Sequence, residues 1–246
     1  MRNKPFRVLS IDFDFFQDTT QEIIQNYYPD GADLNTVLSE IVWVSKYISY
    51  QNFKGRETLK EVTINKHLFQ QIQQIIQRQR TLTPCVIAQS HVHIYDQLIE
   101  RIAETQKAEI YHIDFHHDYQ NGNQEVDCGN WLGKFVEHHP ETDVVWFTRE
   151  NALQAYGSYP ALERCIQFDL QSIMDQTFDL VFLCRSDAWL PPHLDVYFDD
   201  LVILCNDTFA TCYVSDSILC PRDIESIYAN ADALSIWYQK TLQRKE

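Results

Sequence analysis

Asp114-Phe115-His116-His117-Asp118 holds the side chains of this sequence best suited to chemistry. The stretch follows the apolar residues Ile110, Tyr111 and Ile113, so it reads as the end of a buried strand opening into a loop. Side chains alternate along extended backbone, which aims Asp114, His116 and Asp118 the same way. Three metal-competent groups on one side of a strand end suit half of a metal site; the plain alternative is a polar strand terminus with satisfied hydrogen bonds. Two further stretches add to it. Phe6 to Phe16 reads FRVLSIDFDFF, a strand with Asp12 and Asp14 on one face. Carboxylates inside an apolar run repel each other and are costly to desolvate unless a cation neutralises them. A third strand, Cys85-Val86-Ile87-Ala88, runs through Gln89 and Ser90 into His91. Together Asp12, Asp14, His91, Asp114, His116 and Asp118 exceed the needs of one tetrahedral zinc and suit two divalent ions sharing carboxylates.

The elements that must position these residues alternate along the chain. Strands are predicted at Arg7 to Phe13, Cys85 to Ala88, Glu109 to Asp114, Val144 to Phe147, near Ile166, at Leu180 to Cys184 and near Leu201 to Cys205. Apolar stripes at helical spacing predict helices over Asp33 to Tyr50 and His67 to Arg78, with others from Val92 to Thr105 and from about Ile224 to Gln243. Gln51 to Glu61 is polar and reads as a surface loop. Such alternation implies an α/β fold with a mainly parallel sheet between two helical layers, as a single domain over residues 1–246. In a sheet of this kind ligands collect beyond the carboxyl ends of the strands, where all three metal-competent stretches fall.

Composition fits a soluble enzyme. Hydrophobic residues make up 45% and aromatics 13%, enough for a sizeable core. A formal net charge of −15 argues against a nucleic-acid partner, which requires clustered Lys and Arg. The same acidity favours cationic substrates by long-range attraction, although acidic surfaces also serve solubility. The seven cysteines are scattered with no C-x-x-C, as expected of reduced thiols in the cytoplasm. Asp12 and Asp14 break the first apolar stretch, so no signal peptide is read, and no run is long enough to span a bilayer.

Three of these motifs together resemble the ureohydrolase superfamily of arginases and agmatinases. They are D-x-H-x-D at Asp114-His116-Asp118, S-x-D-x-D at Ser10-Asp12-Asp14, and the strand-end His91. Cys128-Gly129-Asn130-Trp131-Leu132-Gly133 is similar to the substrate-side S-G-N-x-H-G loop of arginases. IDFDFF, the Asn130-Trp131 pair and Arg185-Ser186-Asp187-Ala188-Trp189-Leu190-Pro191-Pro192 more narrowly resemble arginase-like peptide arginases of ribosomal peptide natural-product pathways. The resemblance implies a three-layer αβα arginase/deacetylase-like fold and two Mn2+ ions per chain. It implies Asp12 and Asp114 as bridging ligands, His91 and Asp118 on one ion, and His116 and Asp14 on the other. It further implies hydrolysis of the guanidinium of peptidyl arginine, on a precursor peptide, to ornithine and urea, with Asp118 orienting the attacking water. Two departures stand out: S-x-D-x-D precedes D-x-H-x-D here, and Leu132 occupies the position of the arginase proton-shuttle His.

Other residues join the candidate site. With Leu132 at the shuttle position, His117 or His139 could take that role. Asn130 and Trp131 are candidates for the substrate channel, with core packing the alternative for Trp131. Arg185, with Asp187, could hold a substrate carboxylate or carbonyl, or form a structural ion pair. Two rival readings remain open at this point: an amide hydrolase of the same fold, such as a deacetylase or a formiminoglutamase-type enzyme, and a metal-binding module without catalysis.

Overall fold

Strand β1 (Phe6–Asp12) is buried from Val8 to its end and lies at the centre of the computed structural model, which describes residues 4–27, 36–54, 61–120, 125–219 and 222–243. It leads to β2 (Gln17–Asp18), helices α1 (Gln21–Tyr27) and α2 (Thr36–Lys54), and β3 (Thr63–Ile64), which pairs antiparallel with β2. Then come α3 (Lys66–Gln77), β4 (Cys85–Ala88), α4 (His93–Arg101), β5 (Ala108–Ile113) and α5 (Trp131–His138). The chain continues through β6 (Asp143–Phe147), α6 (Glu150–Tyr156), β7 (Ile166–Gln167), β8 (Leu180–Cys184) and α7 (Asp195–Thr208). It closes with β9 (Cys212–Val214), α8 (Asp216–Leu219) and α9 (Ile224–Gln243).

Seven strands form one parallel sheet in the order β7-β6-β5-β1-β8-β4-β9. Parallel strands need long crossovers, and the helices that make them cover both faces, so both faces of each central strand must be apolar. The strands obey this. Val8, Ile110 and Phe182 pack on one face with Ile94 and Leu98 of α4 and Leu132 and Phe135 of α5. Leu9, Ile11, Val181 and Leu183 pack on the other with Trp43 of α2, Ile72 of α3 and Phe198 of α7. The result is a three-layer αβα fold, as the alternation of elements predicts. In α3, Asn65 Oδ1 accepts the Leu68 N–H at 3.1 Å to cap the helix, whose buried stripe is Phe69, Ile72, Ile75 and Ile76.

Two local predictions are corrected. Leu201 to Cys205 is not a strand but the middle of α7, where Leu201 and Cys205, one turn apart, are buried and Ile203 is 60% exposed. A five-residue apolar run does not distinguish a strand from a buried helix face. Asp14 does not share a strand face with Asp12 either. The chain leaves β1 at Asp12 and forms a 3-10 turn over Phe13–Phe16, with Asp12 Oδ1 accepting the Asp14 N–H at 3.3 Å. Gln51 to Glu61 begins inside α2, and residues 55–60 of it lie outside the described residues.

Candidate metal centre

The sheet order makes β5, β1, β8 and β4 consecutive neighbours. Their carboxyl ends therefore deliver Asp114, Asp12, Arg185 and His91 to one side of the sheet. Two of these, with Asp118 from the loop after β5, converge around the His91 imidazole. His91 Nδ1 lies 3.2 Å from Asp12 Oδ2, 3.0 Å from Asp114 Oδ2 and 3.1 Å from Asp118 Oδ2. On the far side of the ring, Nε2 is 2.7 Å from Ser10 Oγ. When that hydroxyl accepts from Nε2, the Nδ1 lone pair is left to face the three carboxylates, the orientation expected of a metal-ligating histidine.

The loop after β5 reaches the same point by a turn rather than by extended alternation. Asp118 sits at φ 48°, in the left-handed region that Asp tolerates. Asp114 Oδ1 accepts the His116 N–H at 2.6 Å. The Trp146 indole donates to the Asp114 carbonyl at 3.1 Å, so the end of β6 pins the loop. His116 Nδ1 then lies 3.2 Å from Asp14 Oδ2 and 3.4 Å from Asp114 Oδ1.

The ligand atoms fall into two sets, each with all its atoms within 4.8 Å of one another: His91, His112, Asp114 and Asp118, and Asp14, Asp114 and His116. Asp114 belongs to both. Asp12 reaches His91 but falls in neither set. The chemistry of these donors fits a divalent cation. All are carboxylate or imidazole, the first set is fully buried, and no thiol is among them. Asp14 is wholly buried, yet neither of its oxygens accepts an aligned hydrogen bond. A buried carboxylate in that condition is expensive unless a cation neutralises it.

Protonation reports the same demand. Burial, then the charges of Asp12 and Asp114, push Asp14 well above the usual carboxylate range. Burial, then Asp114, push Asp12 up to about 6. Burial also opposes charge on His91 and His116, but hydrogen bonds to Asp114 and its neighbouring carboxylates outweigh it and hold both rings protonated. Burial opposes charge on Asp114 too, and the hydrogen bonds from His116 and His91 reverse it, keeping Asp114 ionised. Protons thus occupy the positions a cation would take. The structure supports a buried His/Asp cluster able to hold a metal ion.

A cavity of roughly 430 Å³ opens over the cluster, with Asp12, His91, His116 and Asp118 in its floor. Several candidates from the sequence lie elsewhere. Trp131 does not line the cavity. It is wholly buried, its Nε1 donates to Asp118 Oδ2 at 2.6 Å, and its ring packs against His91 and His112 at 5.1 and 5.5 Å between centroids. Asn130 is spent on its own loop: Oδ1 accepts from Asp127 N at 2.8 Å and Nδ2 donates to the Glu125 carbonyl at 3.0 Å. Arg185 is buried and makes a two-pronged ion pair with Asp187, the structural alternative of its two readings, while Asp187 lines the cavity. His117 turns away from the cluster toward Trp146 and Tyr159, with Nδ1 accepting the Tyr119 N–H at 2.9 Å. His139 caps the far end of α5, about 12 Å along the helix, and stacks on Phe135. Neither histidine lies where a proton shuttle would work.

Sequence reasoning missed His112. It is the penultimate residue of β5, fully buried, with Nε2 at 3.6 Å from Asp114 Oδ2 and 3.8 Å from Asp118 Oδ2. Burial pushes its ring toward the neutral form, the form that binds a metal. The signal was available: the alternation Asp114, His116, Asp118 extends two residues upstream to His112. Sequence reasoning also missed Tyr156 and Trp189, which line the cavity and pack against the His116 ring at 4.4 and 4.5 Å between centroids.

No protein-family model, no curated protein and no solved structure matches this chain. Among the described residues, no helix is long and apolar enough to cross a membrane.

Proposed function

We propose that this chain is a binuclear metal-dependent hydrolase of the arginase and agmatinase kind, acting on the guanidinium group of arginine within a peptide. The observation that carries the reading is Asp114. It is the residue common to the two sets of ligand atoms, which is the arrangement two divalent ions sharing a carboxylate require. Asp114 would bridge. His91, His112 and Asp118 would complete one ion, Asp14 and His116 the other, and Asp12 would stand beside His91. Oxygen-rich mixed donors favour manganese. Two such ions, when bound, supply activation of a water near neutral pH.

The protein's own part follows from its geometry. Asp118 Oδ2, steadied by the Trp131 N–H, is suited to accept a proton from the attacking water. The substrate R–NH–C(NH2)2+ takes up one water and yields R–NH3+ and urea, so atoms and charge balance with no redox partner. Among the described residues the cavity is lined by no Lys or Arg. Apart from the metal cluster, the guanidinium therefore meets no Lys or Arg charge there, and the α-carboxylate of a free arginine finds no Lys or Arg partner. Gln120, which does line it, can pair with the amides of a peptide. These features favour arginine inside a precursor peptide over the free amino acid.

Elemental analysis should find about two ions per chain, chiefly manganese in the active form. An arginine-containing peptide incubated with the manganese-loaded protein should release urea and acquire the mass of its ornithine form, with free arginine much poorer. Efficient hydrolysis of free arginine alone would reject the peptide preference. No urea from either, with metal bound, would reject the ureohydrolase reading.

A further inference from the structure

Ser186, Asp187, Ala188 and Trp189, four consecutive residues after β8, all line the cavity. The turn they form is braced to an unusual degree. Ser186 stands at φ 60°, a conformation a non-glycine residue adopts only when its surroundings enforce it. The enforcement is visible. The Ser186 carbonyl accepts from Trp189 N and Leu190 N, each at 2.8 Å. The Asp187 carboxylate is clamped by the buried Arg185 guanidinium. The Asp187 carbonyl accepts from Trp43 Nε1 at 2.9 Å and from Arg222 Nη1 at 2.8 Å. Arg222 is itself held by a two-pronged ion pair with Asp195. The Trp189 carbonyl accepts from Gln17 Nε2 at 3.2 Å. Buried ion pairs bring little net stability, but they fix geometry. Here they fix a turn whose only wide, flat side chain is the Trp189 indole at the cavity wall.

We infer that Trp189, on this braced turn, is a specificity-determining residue that stacks against a flat cationic head group entering the cavity. Tyr156 extends the same aromatic wall, with its ring centroid 6.2 Å from that of Trp189. Asp127 and Asp187 also line the cavity beyond the metal cluster, the Asp187 carboxylate already paired with Arg185. An indole face beside carboxylates attracts a delocalised planar cation more than a neutral group of equal shape. A rigid wall also spares the ligand the cost of ordering it. This deepens the proposed function by naming the residue that selects the guanidinium, but recognition is separable from turnover.

N-butylguanidinium and N-butylurea share a shape and differ in charge, so they form the probe pair. Their binding to the manganese-loaded protein is measured by calorimetry, with urea release followed in the same samples. The guanidinium should bind at least tenfold more tightly than the urea. Trp189→Leu should weaken guanidinium binding roughly 2- to 30-fold and leave butylurea unchanged, while Trp189→Phe keeps most of the preference. Metal content is measured for each variant. If the leucine variant loses metal through its contact with His116, the phenylalanine variant and the wild-type charge preference decide. Equal affinity for the two probes, or equal weakening of both by Trp189→Leu at full metal content, would overturn the inference. Charge-selective binding without urea release would keep it and reject the hydrolase reading.

Discussion

Trp131→Phe isolates the hold that the fold exerts on one acidic ligand. Asp118 is gripped from the start of α5 at three points: its carbonyl accepts from Leu132 N at 3.1 Å and Gly133 N at 3.2 Å, and its Oδ2 accepts from Trp131 Nε1 at 2.6 Å. Phenylalanine keeps an aromatic ring against His91 and His112 but deletes the side-chain donor. The backbone grip stays, so the loop keeps its path while the carboxylate gains freedom. Losing an outer hydrogen bond to a metal ligand typically lowers affinity about 10- to 100-fold, or roughly 1.4–2.7 kcal/mol. On the proposed two-ion reading, an ion held by His91, His112, Asp114 and Asp118 should show that loss, and one at Asp14 and His116 much less. Truncation in the core also destabilises the protein, by roughly 1–2 kcal/mol, less than a full Trp→Ala change. The two effects separate in denaturant unfolding. With chelator present, only the packing loss remains. At a fixed free Mn2+ concentration L well above Kd, the variant should lose in addition the 10- to 100-fold affinity term, because ligand binding stabilises by RT ln(1 + L/Kd). Titration against a competing chelator measures the affinity directly. Full metal affinity with reduced stability in chelator would show that Trp131 is packing alone and would refute this account of Asp118.

Three other outcomes follow from the same geometry. Asp114→Asn should weaken both ions, because its two oxygens face different histidines, whereas His117→Ala should keep the metal content and most activity; elemental analysis of both variants checks this, and equal metal loss would contradict the two-sided role of Asp114. Asp14→Asn should stabilise the chelated protein by about 1 kcal/mol near pH 8 while removing one ion, since it deletes a buried carboxylate disfavoured by burial and by the charges of Asp12 and Asp114, partly offset by the lost contact with His116 Nδ1 at 3.2 Å. The sign follows from the raised folded-state pKa: the penalty is absent below the ordinary carboxylate pKa and grows as pH rises, so the gain should vanish toward pH 4. Metal binding should release protons, because His91 and His116 are held protonated and Asp12 is pushed up to about 6. Affinity should therefore rise with pH, roughly 100-fold per unit where two protons are displaced, and a pH-independent titration between pH 6 and 8 would sink that linkage.

How much of this was legible in the sequence depends on the length scale of the cause. That Asp12, His91, Asp114, His116 and Asp118 converge in one buried cluster was legible because a charged or metal-competent side chain at the end of an apolar run is costly wherever the fold puts it. The bounds of β4 and β8 were legible for the complementary reason: strands buried on both faces leave uninterrupted apolar runs between polar breaks. Short-range backbone geometry was less so. Alternation placed Asp14 beside Asp12 on a strand, but the chain turns at Phe13, and a 3-10 turn brings Asp14 to His116 instead. The LVILC run was read as a strand because its helical burial, Leu201 and Cys205 inward with Ile203 outward, is decided by what α7 packs against.

Roles set by tertiary pairing were least legible. Nothing local says that the Trp131 indole would hold Asp118 rather than line a channel, or that Asn130 would be consumed by its own turn. The braced turn shows this most fully. Arg222 and Asp195 are 27 residues apart, and neither carries a motif. Their ion pair and the donation from Arg222 acquire meaning only once both are seen converging on the Asp187 carbonyl. A sequence motif therefore marks where the chemistry of this site is concentrated. The rigidity that would give that chemistry its selectivity comes from residues that look ordinary until the fold brings them together.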